Sequence, residues 1–552
     1  MSEVQAVAPE FLSLQVEDTV MRVQAHDSGV RNAPYFAALV SVRRSGDKLQ
    51  FAGNPQAGQD ESRLRAEGLM VLDVRDKDKG SPYFFALARK DWPDAELVLL
   101  LLAYLQPRGI GGTTRPRARG LPALDWQPPM NVPWEEVKQA PMNVALEAVE
   151  QALAADGVNE LRSGLITGKP RSWWQGSSGE PREIKFVLAS CQYPSDFLDY
   201  MPTDEQATRG PADSSLLHLN DLLGKDDAPT LLLLAGDQVY VDSTAGLFDP
   251  KAKDDRFRLP YERRGRSRGV MAVTQRLDMR VETMLDDHEI GDNWEPNDPP
   301  EALTCGMESY FIFQRGFRPP FPNHTWPCHT WRCIDHDGIP FFLGDTRTER
   351  QGRTALNWRT AEIMSSEQFS ALLKCIKEDK NAGLPKFVLT TSRILPRGLN
   401  VARDAACALH SDGWEGYPHS QHKLLQFVFD NEVKGLVLLS GDDHICSLTK
   451  ATISRAGTNK TSVLYSIHSS GLYSPYPFAN GKPKDFASPD KFMFPNPRKG
   501  PYCCEVETHF ADEGDGFTVV NVRPKGQDWV LEVTFYSAEG TKPNQPARVR
   551  LF

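Results

Sequence analysis

The stretch Leu231-Leu-Leu-Leu-Ala-Gly236-Asp-Gln-Val-Tyr240-Val-Asp242 decides how the rest of the chain is read. It follows a polar turn, Asp226-Asp-Ala-Pro229, and opens as an unbroken apolar run. That pattern predicts a strand buried on both faces, as inside a parallel or mixed sheet. A glycine ends the strand and Asp237 follows at its carboxyl end, the place where open α/β sheets bind ligands. Tyr240 comes one helical turn after Asp237, so a carboxylate and a phenol can face one point. Two hard oxygens so placed suit a multivalent cation. The same residues also read as a turn aspartate after a core strand, with Tyr240 packed beside it.

The theme recurs along the chain. Apolar runs end in Cys191 (Lys185-Phe-Val-Leu-Ala-Ser-Cys191), in Asp345 (Ile339-Pro-Phe-Phe-Leu-Gly-Asp345) and in Asp442 (Gly435-Leu-Val-Leu-Leu-Ser-Gly-Asp442). Asp286-Asp-His-Glu289, with Asn293 just beyond, adds acids at what reads as a helix end, where the negative end of the dipole disfavours them. Carboxylates gathered in one place repel one another and need raised pKa values or a cation between them. Metal ions resolve that repulsion and supply the Lewis acid that phosphoester hydrolysis requires. Cys191 reads either as a small buried hydrophobe or as a thiolate ligand. A thiolate and a phenolate together favour a small, highly charged ion such as ferric iron over calcium alone. Asp442 and His444 alternate onto one side of an extended segment. Asp345 is expected to hold a neighbouring arginine or backbone rather than a metal. Arg347 and Arg350 read as surface charges, and Arg347 also as a fork for phosphate.

At 552 residues the chain exceeds one ordinary core, so two or more domains are expected. Residues 1–125 carry short apolar runs separated by polar turns, the pattern of a sandwich-like β domain. Residues 126–182 read as linker and helix, the helical period running over 141–161 and a loop over 164–181. Residues 183–552 read as mixed α/β, with a helix over 271–284 delivering the Asp286 cluster. The alternating C-terminal segment, 502–552, reads as antiparallel edge strands closing the sheet.

A net charge of -10, with no nucleic-acid-binding motif, offers no general attraction to polyanions and mild repulsion from anionic membranes. The basic run Arg263-Arg-Gly-Arg-Ser-Arg268 reads as a solvated loop rather than a polyanion site, with either reading open. The longest apolar run, Leu97 to Leu105, falls well short of the ~20 residues that span a bilayer, so no transmembrane segment is expected. The first ten residues lack the charged and apolar regions of an export signal. Nine cysteines, odd in number and irregularly spaced, suggest reduced thiols and a cytoplasmic location. Cys328 and Cys333, near His324, His329 and His336, fit no standard zinc spacing.

Taken in order, Ala189-Ser-Cys-Gln192, Gly236-Asp-Gln-Val-Tyr-Val-Asp242, Asp286-Asp-His-Glu289 with Asn293, Asp345-Thr-Arg347 and Ser440-Gly-Asp-Asp-His444 resemble the alkaline phosphatase D (PhoD-like) family of metallophosphatases. Trp414-Glu-Gly-Tyr417, ahead of a helix, is also similar to that family. The resemblance implies an α/β fold, a calcineurin-like αββα sandwich beside the N-terminal β domain, with metals at strand ends. It implies hydrolysis of phosphomonoesters or phosphodiesters through a metal-bound hydroxide, at a site holding Fe3+ and Ca2+ or other divalent ions. By the same resemblance, Cys191, Asp237 and Tyr240 would bind iron. Asp237 would bridge to calcium, and Asp287, Asn293, Asp442 and His444 would complete the metal shell. His288 and Arg347 would contact the phosphate or leaving group of the substrate, a phosphate ester. Where other metallophosphatases open with Asp-x-His, this chain reads Ser190-Cys-Gln192, as the PhoD-like branch does. No twin-arginine export signal is present, so an internal substrate is expected. The rival readings are a phospholipase D-type diesterase on lipid head groups and a non-catalytic partner-binding protein with a structural metal.

Overall fold

The computed structural model describes eight strands before residue 183. From there to residue 552 it describes the whole chain except 195–210, 226, 245–248, 277, 318–320, 379–382, 399–404, 475–481, 496–499 and 539–545. Two compact units result: Met1–Trp174 with Thr274–Asp278, and Gln175–Val273 with Met279–Phe552.

The first unit is built of strands. β1 (Phe11–Val16), β2 (Val20–His26) and, further on, β6 (Tyr83–Ala88) form one antiparallel sheet in the order β1-β2-β6. β3 (Phe36–Ser45), β4 (Lys48–Phe51), β5 (Met70–Val71), β7 (Leu97–Leu105) and β8 (Val158–Thr167) form a second, ordered β4-β3-β7-β8 with β5 beside β3. β8 departs from the helix and loop expected there: it pairs with β7 from Leu105↔Val158 to Leu97↔Thr167. An apolar partner strand outweighs the local helical period that ends at Leu161. The rest of the expected linker and helix, residues 126–157, lies outside the described residues.

In the second unit β9 (Ile184–Gln192), β10 (Leu231–Ala235) and β11 (Arg280–Met284) run parallel. β21 (Gly516–Lys525), β22 (Asp528–Ser537) and β23 (Ala547–Arg550) extend that sheet in the order β11-β10-β9-β21-β22-β23, with β18 (Gly471–Tyr473) also on β9. The second sheet takes β12 (Arg332–His336), β13 (Ile339–Gly344), β14 (Lys386–Thr390), β15 (Leu436–Ser440), β16 (Ile445–Arg455), β17 (Thr461–His468), β19 (Asp490–Phe494) and β20 (Tyr502–Glu513). Its order is β12-β13-β14-β15-β17-β16-β20-β19.

The two sheets pack face to face. Phe186, Leu231 and Leu233 meet Phe341, Leu343, Phe387 and Leu439 in one core, and Phe186 stands edge-on to Phe341 at 5.3 Å. The alternate residues Leu232 and Leu234 point outward onto α1 (Pro211–Leu223), through Leu216 and Leu219, and onto Val270 and Val273 of α3 (Arg268–Thr274). The run of leucines thus lines both faces of a central strand, which is why it carries no polar alternation. On the far side of the second sheet, Phe342, Val388 and Leu438 bury Phe369 and Leu372 of α5 (Ser366–Lys377) and Leu424 and Val428 of α7 (Pro418–Asp430). Ser365 starts α5 by accepting from Gln368 N at 3.2 Å. The layers are helix, sheet, sheet, helix.

Several expectations are corrected. The helix expected over 271–284 stops at Thr274, and 280–284 is β11. There Val281 faces the helix layer, while Arg280 and Glu282 pair at 2.7 Å on the opposite face, a period of two. The C-terminal strands are not all at an edge, since β21 lies directly against β9. The basic run is no solvated loop: it closes α2 (Lys253–Arg266) and opens α3, and Arg264 is hydrogen-bonded inside the unit. Cys333 and Cys375 form a disulfide joining β12 to α5, so seven cysteines rather than nine are free. His336 Nε2 lies at hydrogen-bond distance, 2.8 Å, from Thr230 Oγ1. No helix among the described residues is long and apolar enough to cross a membrane.

Candidate metal centre

The loops after β9, β10, β11 and β15 converge at the carboxyl ends of their strands. Asp237, Asp286, Asp287 and Asp442 each offer an oxygen within 4.8 Å of the others, and Asp237, Asp287 and His288 form a second, overlapping group. Cys191 Sγ lies 3.4 Å from Asp237 Oδ2 and 3.9 Å from the carbonyl oxygen of Asp442. Tyr240 is buried, with its ring 4.1 Å from that of His288. His444 is also buried; the α-carbon of Gly471 fits between it and Cys191, and a β-carbon there would come 3.1 Å from Cys191 Cβ and 3.2 Å from His444 Cδ2.

The backbone is unusual where these residues sit. Cys191, Asp237, Asn293, Asp442 and His444 have φ of 46°, 54°, 51°, 81° and 56°. L-residues seldom enter this left-handed region, and such positions gather where a site over-determines them. Gly236, at φ 89°, permits close approach: a β-carbon on it would lie 2.5 Å from Asp286 Cβ. A β-carbon on Gly441 would collide with Ser190. Glu289 staples two of the loops from beneath. Its carboxylate accepts from Asp237 N (3.1 Å), Gln238 N (2.7 Å) and Asp286 N (3.0 Å), and from Gln314 Nε2 (3.1 Å).

Burial raises the pKa of Asp237 well above the carboxylate range, helped by Asp287, Asp286 and Glu289 and opposed by His288. Asp442 is raised likewise, by burial and then by Asp286 and Asp412. Asp286 is pushed up to about 7 by burial, with Arg347 pulling the other way. Burial lifts the Cys191 thiol, and Asp237 and Asp442 add to it. Asp286 Oδ2 is buried with no hydrogen-bond partner among the described residues. An excess of dehydrated oxygen donors, one of them unsatisfied, is what a multivalent cation compensates, so the donor set fits a metal.

The other candidates are placed as follows. His288 Nδ1 faces Asp242 Oδ1 at 2.9 Å, and the backbone N–H of His288 donates to Asp237 Oδ1 at 3.4 Å. Burial pulls its pKa down, but Asp287, Asp242 and Asp237 outweigh burial and raise it. Asn293 brings its backbone to the cluster, donating to Asp287 Oδ2 at 2.6 Å, while its side-chain amide bonds Asp292. Arg347 is fully buried behind the carboxylates: Nε donates to Asp286 Oδ1 at 2.8 Å, Nη1 to Asp412 Oδ1 at 2.8 Å, and Nη2 reaches Asp412 and Asp287. Arg350 shares Asp412, at 2.9 Å. Asp345 binds backbone as expected, accepting from Arg347 N and Thr348 N at 2.8 Å each. Asp286, Asp242, Glu289 and Asp412 were not singled out in sequence for these positions. The first three lie inside the quoted motifs, and Asp412 stands just ahead of Trp414-Glu-Gly-Tyr417.

The fold is α/β, and at its strand ends a cluster of aspartates and a histidine is able to hold metal. Residues 327–508 match the PhoD-like phosphatase family, the family that the quoted motifs resemble. A solved structure of PhoD is similar, with a TM-score of 0.56 at 12% identity, over 98% of this chain and 93% of that chain. A purple acid phosphatase, PPD1, isolated from yellow lupin (Lupinus luteus) seeds, aligns with a TM-score of 0.48 at 11% identity, over 98% of this chain and 74% of that chain. No curated protein matches the sequence.

Proposed function

We propose that this chain is a metal-dependent phosphoesterase hydrolysing phosphomonoesters, phosphodiesters or both, on a calcineurin-like αββα sandwich with an N-terminal β accessory domain. The observation that carries it is the convergence of Asp237, Asp286, Asp287 and Asp442, four acids from three separate loops, within 4.8 Å of one another. Cys191, Asp237 and Tyr240 would hold Fe3+, with Asp237 bridging to Ca2+, and Asp287, Asn293, Asp442 and His444 would complete the metal shell. Asp286, with its unsatisfied oxygen, is a further donor. When bound, such ions supply Lewis acidity and make water a nucleophile at neutral pH.

The chain's own groups supply the rest. Asp242 holds His288 through Nδ1, and the imidazole so oriented would carry a proton to the departing oxygen of the ester. The Tyr240 ring, 4.1 Å away and tilted by 30°, packs on that imidazole and limits its turning. Arg347 fixes Asp286 and Asp287 from behind; direct contact with phosphate would require Asp412 to yield its place. The test is Asp237→Asn, assayed on a chromogenic phosphodiester and monoester beside metal analysis and circular dichroism. Turnover and bound metal should be lost while the fold survives. A variant that keeps wild-type turnover overturns the reading.

A further inference from the structure

Arg264, in the last turn of α2, reaches across to the two loops that present Cys191 and Asp237. Its Nε donates to Gln192 Oε1 at 3.0 Å and its Nη2 to Gln238 Oε1 at 3.1 Å. Those glutamines directly follow Cys191 and Asp237 in the chain. The same loops are tied by backbone bonds, Cys191 N to Gly236 O at 3.2 Å and Gln192 N to Asp237 O at 2.7 Å. Gln238 Nε2 donates to Gly236 O at 2.8 Å, which turns its oxygen toward Arg264.

Other arginines bordering the cluster sit on carboxylates: Arg347 on Asp286 and Asp412, Arg350 on Asp412 and Glu295, Arg393 on Asp443 and Glu415. Arg264 has no carboxylate at ion-pair distance among the described residues and is held by two neutral amide oxygens. A planar guanidinium can serve two acceptors in fixed geometry; a lysine ammonium cannot do so with the same precision of angle. Ion pairing therefore does not account for this arginine, whereas cross-linking two loops does.

We propose that Arg264 is a positioning residue for the metal centre, clamping Gln192 and Gln238 and so setting the 3.4 Å approach of Cys191 Sγ to Asp237. It touches neither substrate nor ion. Groups that orient metal ligands are typically worth about 10- to 100-fold in metal affinity.

Because the proposal rests on the metal-dependent reading above, the test measures metal directly on the full chain. Wild type, Arg264→Ala, Arg264→Lys, Gln238→Met and the Arg264→Ala/Gln238→Met double variant are loaded with Fe3+ and Ca2+ and dialysed against graded chelator. Bound metal is read by mass spectrometry, and thermal midpoints are taken on the metal-free forms. Arg264→Ala should hold iron about 10- to 100-fold more weakly, Arg264→Lys should restore only part, and the double variant should be no weaker than Arg264→Ala alone. The metal-free midpoints should stay close together. Wild-type iron affinity in Arg264→Ala, or additive losses in the double variant, overturns the inference. So does a loss of metal matched in every variant by a fall in the metal-free midpoint. If Arg264→Ala fails to fold, Arg264→Lys and Gln238→Met decide by the same readouts. A wild-type chain that takes up no metal sinks the phosphoesterase reading itself, which separates the two failures.

Discussion

His288 Nδ1 lies 2.9 Å from Asp242 Oδ1, and the backbone N–H of Asp292 donates to the same carboxylate. The aspartate is thereby fixed before it fixes the imidazole. Asp242→Asn keeps the shape but removes the charge that favours the Nδ1–H form. It is expected to lower kcat roughly 10- to 100-fold, with little change in bound metal. His288→Ala should cost more, about 10²–10⁴-fold, as expected for a lost general acid. Steady-state kinetics across pH on a phosphodiester, beside metal analysis, checks both.

Arg347 is buried and neutralises three acids, Asp286, Asp287 and Asp412. Arg347→Ala leaves uncompensated buried carboxylates and is expected to destabilise the fold by about 3–5 kcal/mol. Urea unfolding of the two proteins in equal chelator measures it. A change below 1 kcal/mol, roughly the value of a surface ion pair, would show that the network is not held as described.

Asp286, raised to about 7 from an ordinary 3.8, binds its proton more tightly in the folded chain than in the unfolded one. For such an acid, stability falls as pH rises between those two values and levels off above the folded pKa. In chelator, the wild-type midpoint should decline relative to Asp286→Asn across pH 4–7. Added Fe3+ or Ca2+ should remove the difference, since a bound cation favours the ionised form. Differential scanning calorimetry over this pH range, with and without ions, gives the comparison.

Gly236 has φ 89° and no room for a side chain against Asp286 Cβ. Gly236→Ala is expected to cost ~1–2 kcal/mol for the left-handed backbone and more for the displaced aspartate. Activity should fall further than stability, because the Asp237 loop moves with it. The midpoint and kcat of the same preparation report the two effects separately.

Much of the site was legible because its residues follow apolar runs. Cys191, Asp237, Asp345 and Asp442 each end a strand whose neighbours are buried, and a linear reading catches that pattern. Partnerships across the chain were not legible. Nothing local separates Arg264, inside the unit, from the rest of the basic run around it. Arg347 carries the charge of a phosphate ligand, yet its donors are taken by acids on distant segments. β8 and β11 escaped for a related reason: their conformation is set by the strands beside them, β7 and β10.

β9, the strand that presents Cys191, is flanked by β10 on one side and by β21 and β18 on the other. Its second flank is therefore synthesised some 280 to 340 residues after it, the longest wait among the described strand pairs (roughly a minute or less at ordinary translation rates). During that interval the nascent chain carries an apolar strand with one open edge, a template for mispairing. A ribosome that stops short of Gly516 releases a polypeptide holding every proposed ligand but lacking β21, the partner of Ile184–Leu188 in the strand that presents the first of them. Clones shortened at the 3′ end should for that reason accumulate in inclusion bodies rather than as soluble, inactive enzyme.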